Sequence, residues 1–176
     1  MKDLEIRFIK ESDIDTLVSF YEDVIDYIHT TDIKLRWEKG VYPAKDFLLE
    51  AAKNNTLITF CSGDEIIGSC VVNSNFIEEY NTVPWQIKCD ASKVLILHAF
   101  AINPEYMRKG YAKKSLKMLL DYFANKGYCA MRLDVATCNY KAASLYPQLG
   151  FKFICEHKMQ YPSTGVISFY MYEYLF

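Results

Sequence analysis

Two short segments of the sequence carry residue types whose chemistry and spacing suggest a function. The first runs from Met107 to Lys114 and contains Arg108, Lys109 and Gly110 between an apolar run and a helix-like pattern. Its first predicted helical turn carries lysines, although the dipole of a helix favours acids at that end. A bound anion would relieve this mismatch, because exposed backbone N–H groups, a glycine and flanking cations form a cradle for phosphate. A solvated basic helix start with a turn glycine explains the segment equally well.

The second segment reads NYKAASLYPQLGF and runs from Asn139 to Phe151. Asn139 is predicted to cap a helix, because asparagine side chains accept backbone hydrogen bonds at helix starts. Tyr146 follows seven residues later, two helical turns on and therefore roughly on the same face. Pro147 is predicted to kink the last turn because it lacks a backbone N–H. Taken alone, the segment is more typical of a structural cap followed by an ordinary packed tyrosine.

The charge balance argues for one local anion site rather than a broad basic surface. The chain of 176 residues has a formal net charge of −2. Residues 106–120 hold five of its 20 cations and no acid, so the remaining residues have 15 cations against 22 acids. General nucleic-acid binding needs an extended basic face and is therefore not predicted. The apolar fraction of 51% is enough for a single domain, residues 1–176, with a core of its own.

Several other classes of protein are excluded by missing patterns. The sequence has neither GxxxxGK[ST] nor an early GxGxxG, so a P-loop and a Rossmann dinucleotide site are not predicted. Three distant histidines do not indicate a metal site. No apolar run is long enough to span a membrane and the start lacks a signal-peptide core, so we expect a cytoplasmic protein.

The cysteines are predicted to be buried reduced thiols rather than disulfides, because no two form a CxxC pair and several lie in apolar runs. The six are Cys61, Cys70, Cys89, Cys129, Cys138 and Cys155.

Hydrophobic periodicity predicts the elements that must position the two segments. In the first half we predict a strand at 4–9, helices at 12–28 and 44–53, and a hairpin of strands 57–61 and 66–73. Ser12 and Asp15 resemble a capping box at the start of the first helix. The polar loop at 74–92 is long enough to be functional or mobile.

In the second half, the nearly continuous apolar run at 94–102 predicts a central strand that is buried on both faces. After it we predict a helix at 111–126, a strand at 129–136, a helix at 139–149, and strands at 151–161 and 166–175 joined by a turn at 163–165. This order argues for an α/β sheet with a right-handed crossover.

Together, the two segments resemble the GCN5-related N-acetyltransferase (GNAT) superfamily. The pattern [Gln/Arg]-x-x-Gly-x-[Gly/Ala] followed by Asn-x-x-Ala-x-x-Leu-Tyr-x-x-Leu-Gly-Phe covers about residues 93–155, and the order of elements also agrees. The resemblance implies an α/β (α+β) fold with a mixed, mostly antiparallel central sheet flanked by helices and a splay between two central strands. Met107 stands where the family usually has Gln or Arg. Because backbone amides form most of the cradle, we still expect acetyl-CoA to bind, with Arg108 and Lys109 supplying charge.

The same resemblance implies which residues hold acetyl-CoA as acetyl donor. Pantetheine is expected in the splay, paired with the backbone at 100–102, and the pyrophosphate on the amides at 108–112. Asn139 is expected to contact the cofactor arm, and Tyr146 to protonate the departing thiolate as general acid. The full implied set is Phe100, Ala101, Ile102, Met107, Arg108, Lys109, Gly110, Tyr111, Ala112, Lys113, Asn139, Ala142 and Tyr146.

Side-chain chemistry suggests candidates for the general base and for the acceptor pocket. His98 is a candidate base because an unperturbed imidazole titrates near neutral pH, although it is equally interpreted as a buried, pocket-shaping histidine. Asp134 and water are the alternatives. Glu78 and Glu79 would attract a cationic amine. Five aromatic side chains are candidates for the acceptor wall: Trp37, Tyr42, Tyr80, Trp85 and Tyr170.

The expected function is therefore N-acetylation of a primary amine, on a small molecule, by direct attack on acetyl-CoA. Two alternatives stay open: acetylation of a protein N-terminus or lysine, and a non-catalytic acyl-CoA-binding module. We expect a monomer or a homodimer without metal, nucleic-acid or membrane partners.

Overall fold

The computed structural model describes residues 2–33, 35–161 and 165–176. Its helices are α1 (Ile14–His29), α2 (Lys45–Lys53), α3 (Tyr111–Phe123) and α4 (Tyr140–Ala143). Its strands are β1 (Glu5–Phe8), β2 (Leu57–Ser62), β3 (Glu65–Asn73), β4 (Val94–Ile102), β5 (Ala130–Ala136), β6 (Lys152–Tyr161) and β7 (Gly165–Leu175). Ser163 and Thr164 of the predicted final turn lie outside the described residues.

The strands form one seven-stranded sheet in the order β1-β2-β3-β4-β5-β7-β6. The pairs β1–β2, β2–β3, β5–β7 and β6–β7 are antiparallel, whereas β4 and β5 are parallel. The parallel pairs join Val94–Ile96 to Ala130–Arg132, the first three positions of each strand, and both strands continue beyond them. The predicted mixed, mostly antiparallel sheet flanked by helices is confirmed.

The described residues group into two compact units that alternate along the chain. Unit 1 comprises Met1–Val72 and His98–Leu120, and unit 2 comprises Asn73–Leu97 and Asp121–Phe176. Both β4 and α3 contribute residues to each unit. The assignment of residues 1–176 to a single domain stays a prediction.

In unit 1, α1 and α2 turn their apolar faces inward. Leu17, Tyr21 and Val24 of α1 recur at helical spacing, and all three are buried together with Leu48 of α2. The helix starts differently from the prediction. A short 3-10 turn at Glu11–Asp13 precedes α1. Asp13 is the N-cap of α1, and the Asp13 side chain makes no capping hydrogen bond.

The predicted capping box at the start of α1 is therefore wrong. The Ser12 hydroxyl donates to the Asp13 carboxylate, 3.3 Å away, instead of capping the backbone. A short acidic neighbour competes with the backbone for the serine hydroxyl, and the 3-10 turn shifts the helix start by two residues.

In unit 2, β5 and β7 pair along their whole shared length, from Ala130 opposite Leu175 to Ala136 opposite Phe169. Because side chains alternate along a strand, this register gives the pair two distinct faces. Arg132 and Asp134 of β5 lie on one face, while Leu133 and Val135 lie on the other. Directly opposed residues share a face, which places Glu173 beside Arg132.

The helix that begins after Asn139 is shorter than predicted. The cap itself is observed, since Ala142 N donates to Asn139 Oδ1 at 3.3 Å. However, α4 ends at Ala143, and a 3-10 helix at Tyr146–Leu149 follows it. Pro147 has no N–H to donate, so the α-helical bonding cannot run on to residue 149.

The prediction that all cysteines are reduced and buried is also wrong. Cys89 and Cys129 form a disulfide across 40 residues of chain. Cys138 is exposed, whereas Cys61 and Cys70 are buried thiols as predicted. The pairing depends on two segments that fold together only in three dimensions, so spacing along the sequence does not indicate it.

Candidate active site

The end of β4 contains a residue in an unusual backbone conformation. Ala99 has a φ of 50°, in the left-handed region that residues with a Cβ atom rarely adopt. Its carbonyl accepts a hydrogen bond from the Tyr21 hydroxyl at 2.9 Å. Phe100, Ala101 and Ile102 follow directly, so the three residues expected to pair with pantetheine begin at a conformational break.

The basic segment after β4 has the local geometry of an anion cradle. Asn103 caps a 3-10 turn at Pro104–Tyr106, and the chain then turns through two left-handed residues, Arg108 at φ 59° and Gly110 at φ 81°. Helix α3 begins immediately afterwards, and its first turn contains no acid. The first four N–H groups of a helix have no partner within it, so they are available to an anion at this place.

The side chains of this segment divide between packing and exposure. Arg108, Lys109 and Lys113 are exposed, as is suitable for cations that flank a phosphate. Met107 and Ala112 instead pack against a buried cluster of Ile67, Ile102 and Tyr111. The methionine at the first motif position thus anchors the turn by apolar contact.

A second set of contacts fastens the start of α3 to the N-terminal segment, and sequence reasoning did not identify it. Lys2 N donates to the Tyr111 hydroxyl at 2.7 Å, and Lys114 Nζ donates to the Lys2 carbonyl at 2.8 Å. The Lys2 ammonium also binds the Glu65 carboxylate and the Tyr106 hydroxyl. These hydrogen bonds raise the pKa of Lys2 above its usual value, and the bond from Lys2 lowers the pKa of Glu65.

Tyr146 lies in unit 2, where its ring is fixed by aromatic neighbours. It is 6% exposed and packs against Phe151 and Tyr172, both with ring centroids 5.6 Å away. The Tyr172 hydroxyl donates to the Ala143 carbonyl at 3.3 Å, which ties the end of α4 to β7. The tyrosine of the second motif therefore sits in a rigid apolar setting beside the capped α4.

The two candidate bases occupy different strands. His98 is partly buried on β4 and directly precedes Ala99. Asp134 is partly buried on β5, and its Oδ1 accepts a hydrogen bond from the Tyr80 hydroxyl at 2.5 Å.

Comparison with known proteins agrees with these features. The sequence profile described as "Acetyltransferase (GNAT) family" matches residues 19–151, which include β4, the basic turn, α3 and Tyr146. The chain belongs to the GNAT acetyltransferase family. Over 95 residues it is 30% identical to a "[Ribosomal protein bS18]-alanine N-acetyltransferase" of Haemophilus ducreyi. That match covers 54% of this chain and 66% of the relative, just under two thirds of its length.

Solved structures show the same fold over nearly the whole chain. A GNAT-family acetyltransferase of Streptococcus agalactiae superposes with a TM-score of 0.78 at 18% identity, covering 98% of this chain and 95% of that one. An acetyltransferase of Salmonella typhimurium, determined with its cofactor acetyl-CoA, has a TM-score of 0.69 at 15% identity, with 99% and 94% covered.

The basic turn of this GNAT protein fits the phosphates of a coenzyme A thioester. Gly110 adopts a positive φ, the first turn of α3 lacks acids, and Arg108 and Lys109 are exposed beside it. No group of three or more potential metal ligands occurs in the ranges that the structure describes. Within the same ranges, no helix is long and apolar enough to cross a membrane.

Two of the predicted acceptor residues, Trp37 and Tyr42, belong to an aromatic row in unit 1. The Trp37 ring lies 6.3 Å from Tyr21 and 5.6 Å from Tyr42, and Tyr42 lies 5.6 Å from Phe47. The His29 ring nitrogen Nε2 lies 3.1 Å from the Trp37 carbonyl. Both predicted residues are partly buried and pack against the core around Tyr21.

Tyr80 and Trp85 form a second pair, in unit 2. Trp85 Nε1 donates to the Tyr80 carbonyl at 2.8 Å, and Arg132 lies 4.4 Å above the Trp85 ring. Tyr80 is buried, whereas Glu78 is exposed and Glu79 is partly exposed. The loop that was expected to be functional or mobile is therefore fastened to β5 by its own aromatic residues.

Tyr170 lies apart from this second pair. It is opposed to Val135 and packs against Phe153 at 5.8 Å, on the face of β5 and β7 opposite to Asp134. Because the Tyr80 hydroxyl binds Asp134, Tyr80 lies on the Asp134 face of the sheet, whereas Tyr170 lies on the other face.

A buried ion pair that sequence reasoning missed also holds this loop. Arg132 Nε lies 2.8 Å from Glu173 Oε1, and the Glu173 side chain is fully buried. Gln86 N donates to Glu173 at 2.8 Å, and Arg132 donates to the Ile87 carbonyl at 2.9 Å. The signal that would have indicated such a pair is the presence of Arg132 and Glu173 within two otherwise largely apolar strands, because buried charges are almost always partnered.

Proposed function

We propose that this protein transfers an acetyl group from acetyl-CoA to a primary amine. The observation that carries the proposal is the basic glycine turn that opens α3 in a chain of the GNAT family. Acetyl-CoA, when bound, supplies an activated acyl group as a thioester. A non-catalytic acyl-CoA-binding module would need the turn but would not need Tyr146.

The proposed cofactor contacts use mainly backbone groups. The amides at 108–112 hold the pyrophosphate, with charge from Arg108, Lys109 and Lys113. The backbone at 100–102 pairs with pantetheine as an added strand would. Asn139 and Ala142 contact the cofactor arm.

Tyr146 is the proposed general acid. A phenol has an ordinary pKa of about 10, so it is protonated at neutral pH and can donate to a departing thiolate. The rings of Phe151 and Tyr172 restrict its orientation, which favours a fixed donor position.

His98 is the proposed general base, with Asp134 or water as alternatives. A neutral imidazole near pH 7 is able to take the proton that the attacking amine loses. Asp134 already accepts the Tyr80 hydroxyl, which occupies one of its oxygens. Direct attack then needs only a donor for the oxygen on which charge develops, and a backbone amide of β4 would serve.

A small primary amine is the acceptor we favour, and the aromatic pair Trp37 and Tyr42 supports it as an apolar wall. The second candidate is the amine of an alanine residue in a protein, because the Haemophilus ducreyi relative is named for that reaction. A panel of small amines assayed beside alanine-starting peptides separates the two. Turnover of peptides alone would overturn the small-molecule assignment.

The cradle is tested by Gly110→Val. Valine disfavours positive φ, so we expect acetyl-CoA affinity measured by calorimetry to fall about tenfold or more. Gly63→Val is the matched control, since Gly63 also has positive φ at 58° but lies in the β2–β3 turn. Equal affinity of both variants would overturn the cradle.

The general acid is tested by Tyr146→Phe, with Tyr128→Phe as the matched control. We expect kcat to fall about 100-fold or more, while the acetyl-CoA Kd stays nearly constant, because only a proton donor is removed. A kcat equal to that of the wild type, with chemistry rate-limiting, would remove Tyr146 from the mechanism.

A further inference from the structure

We propose that Tyr21 is a positioning residue, whose buried hydroxyl holds Ala99 in its left-handed conformation and thereby sets the backbone at 100–102. This inference rests on the proposed function, which gives that backbone its role in binding pantetheine. Tyr21 itself, on α1, is not proposed to touch substrate or cofactor. All of the residues involved lie in unit 1.

The Tyr21 hydroxyl is placed to do this. Tyr21 is 1% exposed, and its hydroxyl donates to the Ala99 carbonyl at 2.9 Å. Its oxygen also lies 3.1 Å from Ser69 Oγ, and Ser69 in turn donates to the Ile58 carbonyl at 3.0 Å. A small buried polar network therefore connects α1 with β2, β3 and β4. Burial raises the pKa of Tyr21 well above its usual value, so the hydroxyl stays a donor across the working pH range.

The conformation of Ala99 needs such a partner. A residue with a Cβ atom is strained at a φ of 50°, and strained residues persist only where the surroundings hold them. Ala99 is 7% exposed, so its carbonyl has little water to turn to. A phenylalanine at position 21 would pack equally well, so the hydroxyl is the part of the side chain that packing does not explain.

The residues that follow are constrained from the other side as well. A Cβ atom on Gly68 of β3 would lie 2.8 Å from Ile102 Cδ1 and 3.0 Å from the Ala101 carbonyl oxygen, so the backbones approach closely here. Asn103 N then donates to the Ile67 carbonyl at 2.9 Å. With Tyr21 at its start and β3 along its length, the segment at 100–102 has its amides and carbonyls set before any ligand arrives. Such pre-organisation lowers the cost of binding.

The test is Tyr21→Phe in the full-length protein, which removes the hydroxyl and keeps the ring against Phe20 and Trp37. We expect acetyl-CoA affinity and kcat to fall together, about 10-fold to 100-fold, because misplacement of a binding backbone is costly. Tyr27→Phe, on the same helix, is the matched control and should retain wild-type values. Thermal unfolding of each variant confirms that the assays use folded protein.

Rescue separates positioning from simple stabilisation. Glycine adopts positive φ freely. The double variant Tyr21→Phe with Ala99→Gly should therefore have a kcat and an acetyl-CoA affinity several-fold higher than those of Tyr21→Phe alone. Wild-type kcat and affinity in Tyr21→Phe, or no restoration by the second change, would overturn the proposal.

A third measurement does not depend on activity. Amide hydrogen exchange at 100–102, measured without cofactor, should be faster in Tyr21→Phe than in the wild type or Tyr27→Phe. Equal exchange would overturn the positioning role. Failure of the proposed function looks different, since wild-type protein would then neither bind nor turn over acetyl-CoA while the exchange difference persists.

Discussion

The two units hold irregular backbone in place with different buried chemistry. In unit 1, the neutral Tyr21 hydroxyl fixes the carbonyl of Ala99. In unit 2, the charged pair of Arg132 and Glu173 fixes the Ile87 carbonyl and the Gln86 amide together. The neutral arrangement holds one group, whereas the ionic one holds two groups on a loop that has little regular structure.

The difference matters most when one partner is lost. Removing the donor of a buried neutral hydrogen bond costs about 1–3 kcal/mol, because the acceptor stays buried without a partner. Removing one member of a buried ion pair costs about 3–5 kcal/mol, because the other charge stays buried without compensation. The ion pair of unit 2 holds more backbone groups than the Tyr21 hydroxyl does. A substitution of either of its members is therefore expected to cost more stability.

The largest effect is expected from Glu173→Gln. The change leaves the Arg132 guanidinium buried without a counter-charge, so the free energy of unfolding should fall by about 3–5 kcal/mol, measured by urea denaturation. The double variant Arg132→Met with Glu173→Leu removes both charges and should recover much of that loss. A single variant that costs less than about 1 kcal/mol would contradict the burial of the pair.

A second effect is expected from the disulfide, which fastens the same loop of unit 2. Because Cys89 and Cys129 close 40 residues, the variant Cys89→Ser should lower the free energy of unfolding by about 2–4 kcal/mol. Cys138→Ser, at an exposed free thiol, is the control and should change stability little. Alkylation of six cysteines in unfolded, unreduced protein would show that the bridge does not form.

The smallest effect is expected in unit 1, at Ser115, where the substitution should raise stability instead of lowering it. Ser115 of α3 is fully buried, and its hydroxyl has no hydrogen-bond partner among the described residues. Ser115→Ala removes the unpaired hydroxyl and should raise stability by up to about 1 kcal/mol. Ser69→Ala removes a hydroxyl that does have partners, so it should lower stability by a similar amount. A loss of stability in Ser115→Ala would show that its hydroxyl is bonded.

Local signals explain what the sequence could predict. The run at 94–102 is buried on both faces except at His98 and Phe100, which are partly buried, and its observed bounds match the prediction because a continuous apolar stretch has clear ends. The cap at Asn139 and the turn at Gly110 are likewise set by a few neighbouring residues. The likeness to the GNAT family depended on these same short patterns.

Contacts between residues that are far apart along the chain explain what the sequence could not predict. The bond from Tyr21 to Ala99 spans 78 residues, the disulfide 40, and the pair of Arg132 and Glu173 41. Hydrophobic periodicity along the chain does not indicate which residues at such separations come into contact. The helix end after Ala143 has a local cause, because Pro147 ends the α-helical hydrogen bonding, whereas the sequence predicts only a kink there.

The place of β7 in the strand order has a consequence during translation. β7 follows β6 along the chain but lies between β5 and β6 in the sheet. While the protein is being made, the edge of β5 that pairs with β7 therefore has no native neighbour until residues 165–175 leave the ribosome. An unpaired edge is a template for mispairing with other chains. A nascent chain that stalls before this strand would present the open edge of β5 to its surroundings.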